Sequence, residues 1–126
     1  MERTGVDVLA PAVGTVHGFT TEPVTVDLER LRAIAAATGV PLALHGASGL
    51  SDGDLRAAVD AGVAKVNINA ELRRGHLAAL DAAHGESGDD LVALQARAVT
   101  VMTRIAAEKL TLLGARSVLM AEEGVR

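Results

Sequence analysis

Val40-Pro41-Leu42-Ala43-Leu44-His45-Gly46-Ala47-Ser48-Gly49 decides how this chain is read. Its front part, Pro41 to Leu44, is short, apolar and continuous, the pattern of a strand covered on both faces. Its back part is a histidine followed by a glycine-rich turn. Two similar runs lie to either side, Val6 to Val13 and Ala64 to Ile68. Pro11 suits an edge or a bend in the first of them, because proline has no N–H to give a central ladder.

Helical patterns lie between and after these runs. Asp27 is placed to cap a helix through Ala37, with Leu28, Leu31 and Ile34 on one face. Gly39, with Pro41 just beyond, stops it. Ser51-Asp52-Gly53-Asp54 resembles a capping box, opening a helix through Ala61 that ends at Gly62. A helix is expected from Glu71 to about Ala83, then a polar loop, Gly85-Glu86-Ser87-Gly88-Asp89-Asp90. The last helix, about Leu91 to Leu113, carries Leu91, Leu94, Ala98, Met102, Ile105 and Leu112 at helical spacing and ends at Gly114. The tail after Ser117 is expected to fray. Strands alternating with helices imply a parallel α/β arrangement with right-handed crossovers. No linker, second domain or low-complexity stretch interrupts it.

Composition narrows the function classes. The 126 residues are 49% hydrophobic and 22% charged, enough apolar mass for one small core. Net charge is −4, which argues against a nucleic-acid or anionic-membrane surface. The absence of cysteine excludes disulfides, zinc-cysteine sites and thiol nucleophiles. A single aromatic residue removes base-stacking platforms. There is no membrane-length apolar run and no signal-peptide pattern, so a bacterial-type cytoplasm is the expected setting.

In parallel α/β folds, ligands gather beyond the C-terminal ends of strands. The three strand ends here carry Gly14-Thr15-Val16-His17-Gly18, His45-Gly46-Ala47-Ser48-Gly49 and Asn67-Ile68-Asn69-Ala70-Glu71. His17 and His45 are either two ligands of a divalent metal or two histidines that cap strand ends. Gly46 to Gly49 can offer backbone N–H groups to a phosphate, with the Ser48 hydroxyl beside them, although such turns are common in βα units. Asn67 and Asn69 either cap the third turn or touch a ligand. Lys65 invites a Schiff-base role, against the plainer one of an ion-paired structural lysine; alternation puts it on the same face as Asn67. His76, His84, Arg73-Arg74, Asp89-Asp90 and Glu122-Glu123 read as solvated surface.

Taken in order, Thr4-Gly5-Val6-Asp7-Val8-Leu9-Ala10, Gly14-Thr15-Val16-His17-Gly18, Val40 to Gly49 and Gly62-Val63-Ala64-Lys65-Val66-Asn67-Ile68-Asn69-Ala70-Glu71-Leu72 form a joint pattern. It resembles the C-terminal half of class II, metal-dependent fructose-bisphosphate and tagatose-bisphosphate aldolases, from about Thr4 to Gly114. The resemblance implies an α/β fold that is the C-terminal part of a TIM barrel, about three parallel strands with flanking helices. It implies His17 and His45 as two of three histidines around zinc or a similar divalent ion. Gly18 would contact the triose phosphate, and Gly46, Ala47 and Ser48 would cradle phosphate. Asn67, Ile68, Asn69 and Ala70 match the turn that holds phosphate and enediolate; a monovalent cation often sits near these turns. The implied partners are a phosphorylated ketose and dihydroxyacetone phosphate, and family members are commonly homo-oligomers.

Three departures stand out. Ala70 replaces a common threonine, and Phe19-Thr20-Thr21-Glu22-Pro23 lacks a lysine often present in that loop. A TIM barrel also takes eight strands and about 250 residues. The remaining histidine and the catalytic aspartate belong to the other half of the family barrel, so no catalytic acid or base is assigned within residues 1–126. The expectation is a partial barrel domain, with 115–126 as a tail, that is inactive alone. The competing expectation is a non-catalytic sugar-phosphate-binding α/β module, or a structural remnant.

Overall fold

The computed structural model describes residues 4–18, 20–88 and 90–115. Phe19, Asp89, the Glu122-Glu123 pair and the tail expected to fray lie outside these. The chain divides into two compact units, Met1–Asn69 and Ala70–Arg126. No helix among the described residues is long and apolar enough to cross a membrane.

The first unit contains α1 (Leu28–Thr38), β1 (Leu42–Leu44), α2 (Asp52–Asp60) and β2 (Val63–Val66). Asp27 starts α1 by accepting the Arg30 N–H at 2.9 Å, and Gly39, at φ 64°, ends it by donating to the Ala35 carbonyl. Ser51 starts α2: its Oγ accepts the Asp54 N–H at 3.1 Å and donates to Asp54 Oδ2 at 2.8 Å. This is a shortened capping box, because the aspartate is one methylene too short to reach back to the backbone as glutamate does. Leu31 from α1, Leu42 and Leu44 from β1, and Leu55 from α2 are fully buried. Each such side chain contributes about 1.5–3 kcal/mol by leaving water.

β1 and β2 pair in parallel, Leu42 with Val63, Ala43 with Lys65 and Leu44 with Val66, with an irregularity between Leu42 and Ala43. Among the described residues the first apolar run is not a strand: the expected three strands are two, plus a single parallel bridge from Leu9 to Leu42. Proline explains the stop. Leu9 donates to the Pro41 carbonyl at 3.1 Å and accepts from Ala43 at 2.8 Å. The next donor in that register is residue 11, and Pro11 has no N–H. β1 is buried at every position, as the continuous apolar pattern expects, whereas Ala64 and Lys65 of β2 are exposed. Among the described residues β2 is paired along one edge only, and its exposed Ala64 and Lys65 lie on opposite faces, so neither face is fully covered.

The second unit is a helical hairpin of α3 (Ala70–Ser87) and α4 (Leu91–Leu112). α3 continues through the expected loop as far as Ser87, carried by backbone bonds past Gly85; the Gly88 N–H closes it on the His84 carbonyl at 3.0 Å. Asp90 restarts the chain by accepting the N–H groups of Val92 and Ala93, both at 3.1 Å. Lys109 meets Glu71 at 3.4 Å, a Cβ at Gly75 would strike Ile105, and Arg97 pairs with Glu86, so the helices run antiparallel. Gly75, Ala79 and Ala83 recur every four residues and form the close seam of α3, opposite the buried Ala98 of α4. Leu91, one of the apolar residues at helical spacing along α4, is 65% exposed. It is the first helical residue, before the seam begins. Ala83→Leu should overpack this seam and destabilise the chain by about 1–3 kcal/mol in urea denaturation, and an unchanged midpoint would contradict the seam.

Within the first unit, the two histidine-bearing loops touch through glycine. Gly46 sits at φ 67°, and a Cβ there would lie 2.7 Å from the Val16 carbonyl oxygen and 3.0 Å from its nitrogen. A Cβ at Gly49 would stand 3.7 Å from the Gly18 carbonyl oxygen. The first loop is anchored at its root, where the Asp27 N–H donates to the Val13 carbonyl at 2.8 Å. Gly46→Ala places a side chain in the left-handed region and against rigid backbone. It should cost at least about 2 kcal/mol by thermal or urea denaturation, whereas a loss below about 0.5 kcal/mol would contradict the close approach.

Candidate functional site

His45 is the first residue beyond β1, and His17 stands on the loop that Gly46 holds against it. Both side chains are exposed. Their ring centroids are 5.7 Å apart and the ring planes are inclined by 56°. Imidazole nitrogens bind zinc at about 2.0–2.1 Å, so two rings on one ion have centroids about 5–6 Å apart. The pair therefore has the donor type and spacing of two ligands of one divalent ion. Among the described residues, no three histidine, cysteine, aspartate or glutamate side chains gather into a group that could hold a metal. The fit is to part of a coordination shell, since catalytic zinc takes three protein donors.

Asn67, the first residue beyond β2, joins the pair. Its backbone N–H donates to the Leu44 carbonyl at 2.9 Å, which sets it beside His45. Its side-chain Nδ2 is 3.2 Å from His45 Nδ1 and 3.1 Å from Nε2. On its other side, Lys65 Nζ donates to Asn67 Oδ1 at 2.5 Å. The shared face that alternation expects of Lys65 and Asn67 is present, but the lysine's partner is an amide rather than a carboxylate. Sequence reasoning put the two on one face by their i, i+2 spacing and did not assign the bond between them.

The remaining candidates are placed as follows. Gly18 is half-buried at φ 87°, and its carbonyl lies beside Gly49. Gly46 and Ala47 are buried, and Ser48 is half-buried. The glycine turn does not lead directly into an α-helix. Ala47–Gly49 form a single 3-10 turn, and α2 begins only after the Ser51 cap, with Asp52 and Asp54 in its first turn. Any anion at Gly46–Ser48 is therefore served by turn N–H groups and not by the start of α2, whose first turn is acidic. Ile68 is half-buried, Asn69 is exposed, and Ala70 is the first residue of α3. His84 is exposed, as expected, with Nδ1 3.0 Å from the Gly88 carbonyl. His76 is not a surface residue: it is half-buried in the second unit, and its Nδ1 is buried with no hydrogen-bond partner among the described residues.

The family described as fructose-bisphosphate aldolase class-II matches residues 1–117. The uncharacterised protein YdjI of Escherichia coli (strain K12) is 44% identical over 80 residues, which are 64% of this chain and 29% of YdjI. The crystal structure of the YdjI aldolase from Escherichia coli K12 superposes on 90% of this chain and 42% of that chain, with 36% identity and a TM-score of 0.81. A protein from Coccidioides immitis, described as a fructose-1,6-biphosphate aldolase, superposes on 90% of this chain and 40% of its own, with 31% identity and a TM-score of 0.73. The chain thus spans less than half the length of the relatives it matches. With the family pattern extending over all the elements described above, the chain belongs to the class II fructose-bisphosphate aldolase family.

Proposed function

We propose that this chain carries the metal- and phosphate-binding part of a class II aldolase. That enzyme would reversibly cleave a ketose 1,6-bisphosphate to dihydroxyacetone phosphate and glyceraldehyde 3-phosphate. The observation that carries the reading is the His17–His45 ring pair, on two touching loops with the Asn67 amide against it. In this reading β1, β2 and the Leu9 segment are strands from the C-terminal part of a TIM barrel.

Aldol cleavage has two requirements. A hydroxyl proton leaves the aldehyde-forming half, and the electron pair of the breaking carbon–carbon bond moves onto the ketone half. His17 and His45 would hold the divalent ion, with zinc suited to the imidazole donors. When bound, that ion supplies a Lewis acid for the ketone oxygen. Gly46, Ala47 and Ser48 offer N–H groups and a hydroxyl to a phosphate, with Gly18 alongside. Asn67, Ile68, Asn69 and Ala70 supply the second set of substrate contacts. Holding the phosphate orients the ketose and contributes binding energy remote from the reacting bond. The Asn67 side-chain NH2, set beside His45, can donate to an oxygen that gains negative charge. The proton-accepting carboxylate lies outside this chain, so residues 1–126 alone bind without turnover.

Calorimetric titration of zinc into the chain should give one site, weakened at least about tenfold by His17→Ala or by His45→Ala. Ser48→Ala should weaken dihydroxyacetone phosphate binding about three- to tenfold, the value of one hydrogen bond. Zinc affinity indifferent to both histidine substitutions would overturn the reading. So would a barrel-length protein containing this sequence that fails to cleave any ketose bisphosphate when loaded with zinc.

A further inference from the structure

We infer that Lys65 is a positioning residue: it fixes which end of the Asn67 amide faces His45. Its consequence for catalysis rests on the function proposed above; the positioning itself does not.

An asparagine amide is nearly symmetric in shape, and rotating it by half a turn exchanges a donor for an acceptor. A lysine ammonium has three donors and no acceptor. At 2.5 Å it can take only the carbonyl oxygen of Asn67, in a charge-assisted bond. The NH2 group is thereby turned the other way, to 3.1–3.2 Å from the ring nitrogens of His45. An N–H donor pairs with a bare imidazole nitrogen, whereas a carbonyl in its place would pair with the ring N–H. Lys65 thus selects a donor for the ground in front of His45. In the proposed reaction the same donor faces the substrate oxygen that gains charge.

The placement is suited to this role and poorly suited to a structural one. The Lys65 side chain is exposed, and its backbone pairs with Ala43 whatever the side chain. Its position two residues before Asn67 on an extended chain puts both side chains on one face. With its amino group taken by Asn67, Lys65 has a noncovalent task in place of the Schiff base that a strand lysine first brings to mind.

The test compares Lys65→Met with Lys65→Arg in the metal-free chain by NMR. Lys65→Met should shift the Asn67 side-chain amide and the His45 ring 15N resonances and remove the contact between them. The backbone amides of β1 should stay in place. Lys65→Arg, which keeps a donor, should retain the contact. In a barrel-length enzyme, Lys65→Met should lower kcat about tenfold or more with little change in KM. An unchanged Asn67–His45 contact in folded Lys65→Met would overturn the inference. Loss of folding in Lys65→Met, or β1 amide shifts as large as those of Asn67, would overturn it too by assigning Lys65 a structural role. If zinc affinity ignores His17 and His45 while the Asn67 contact still depends on Lys65, the functional proposal falls and the positioning stands.

Discussion

The candidate site depends on a contact that involves no functional group. The backbone of Gly46 lies so close to the backbone of Val16 that a single methyl group would sit 2.7 Å from a carbonyl oxygen. Two loops can approach that closely only where one of them lacks a Cβ and can adopt a positive φ. The neighbours of these two residues are His45 and His17. The 5.7 Å between the rings follows from the glycine beneath them more than from any attraction between imidazoles. Asp27 secures the arrangement from below, because it caps α1 with its side chain and binds Val13 with its backbone N–H.

The sequence carried some of this plainly. Leu42 to Leu44 could be read as a fully covered strand because no polar residue interrupts it, and burial at all three positions agrees. Asp27, Ser51 and Gly39 announced their helix ends because capping is local chemistry, settled within three or four residues. The antiparallel pairing of α3 and α4 was less visible. Its seam is built from Gly75, Ala79 and Ala83, small residues that give little hydrophobic signal although they allow the closest approach. The loop expected at Gly85 failed for a related reason: two glycines and four polar residues resemble a break, but the hydrogen-bond ladder tolerates glycine when the neighbouring helix holds the turn.

The first apolar run shows where pattern and pairing part. Val6 to Val13 has strand composition, yet pairing depends on which residue must donate in register. Pro11 occupies that position, and the ladder stops after Leu9. In the site, residue types were legible and orientation was not. His17, His45 and Asn67 stand out at strand ends, but the direction of the Asn67 amide is set by Lys65 through space. No spacing rule says which end of an amide a lysine will take.

The central claim is that two imidazoles from separate loops serve one ion. X-ray absorption on the zinc-loaded chain tests it most directly, because imidazole multiple scattering counts ring ligands at the metal. The account predicts two imidazoles at about 2.0 Å, with light oxygen donors completing the shell. One imidazole or none would contradict it.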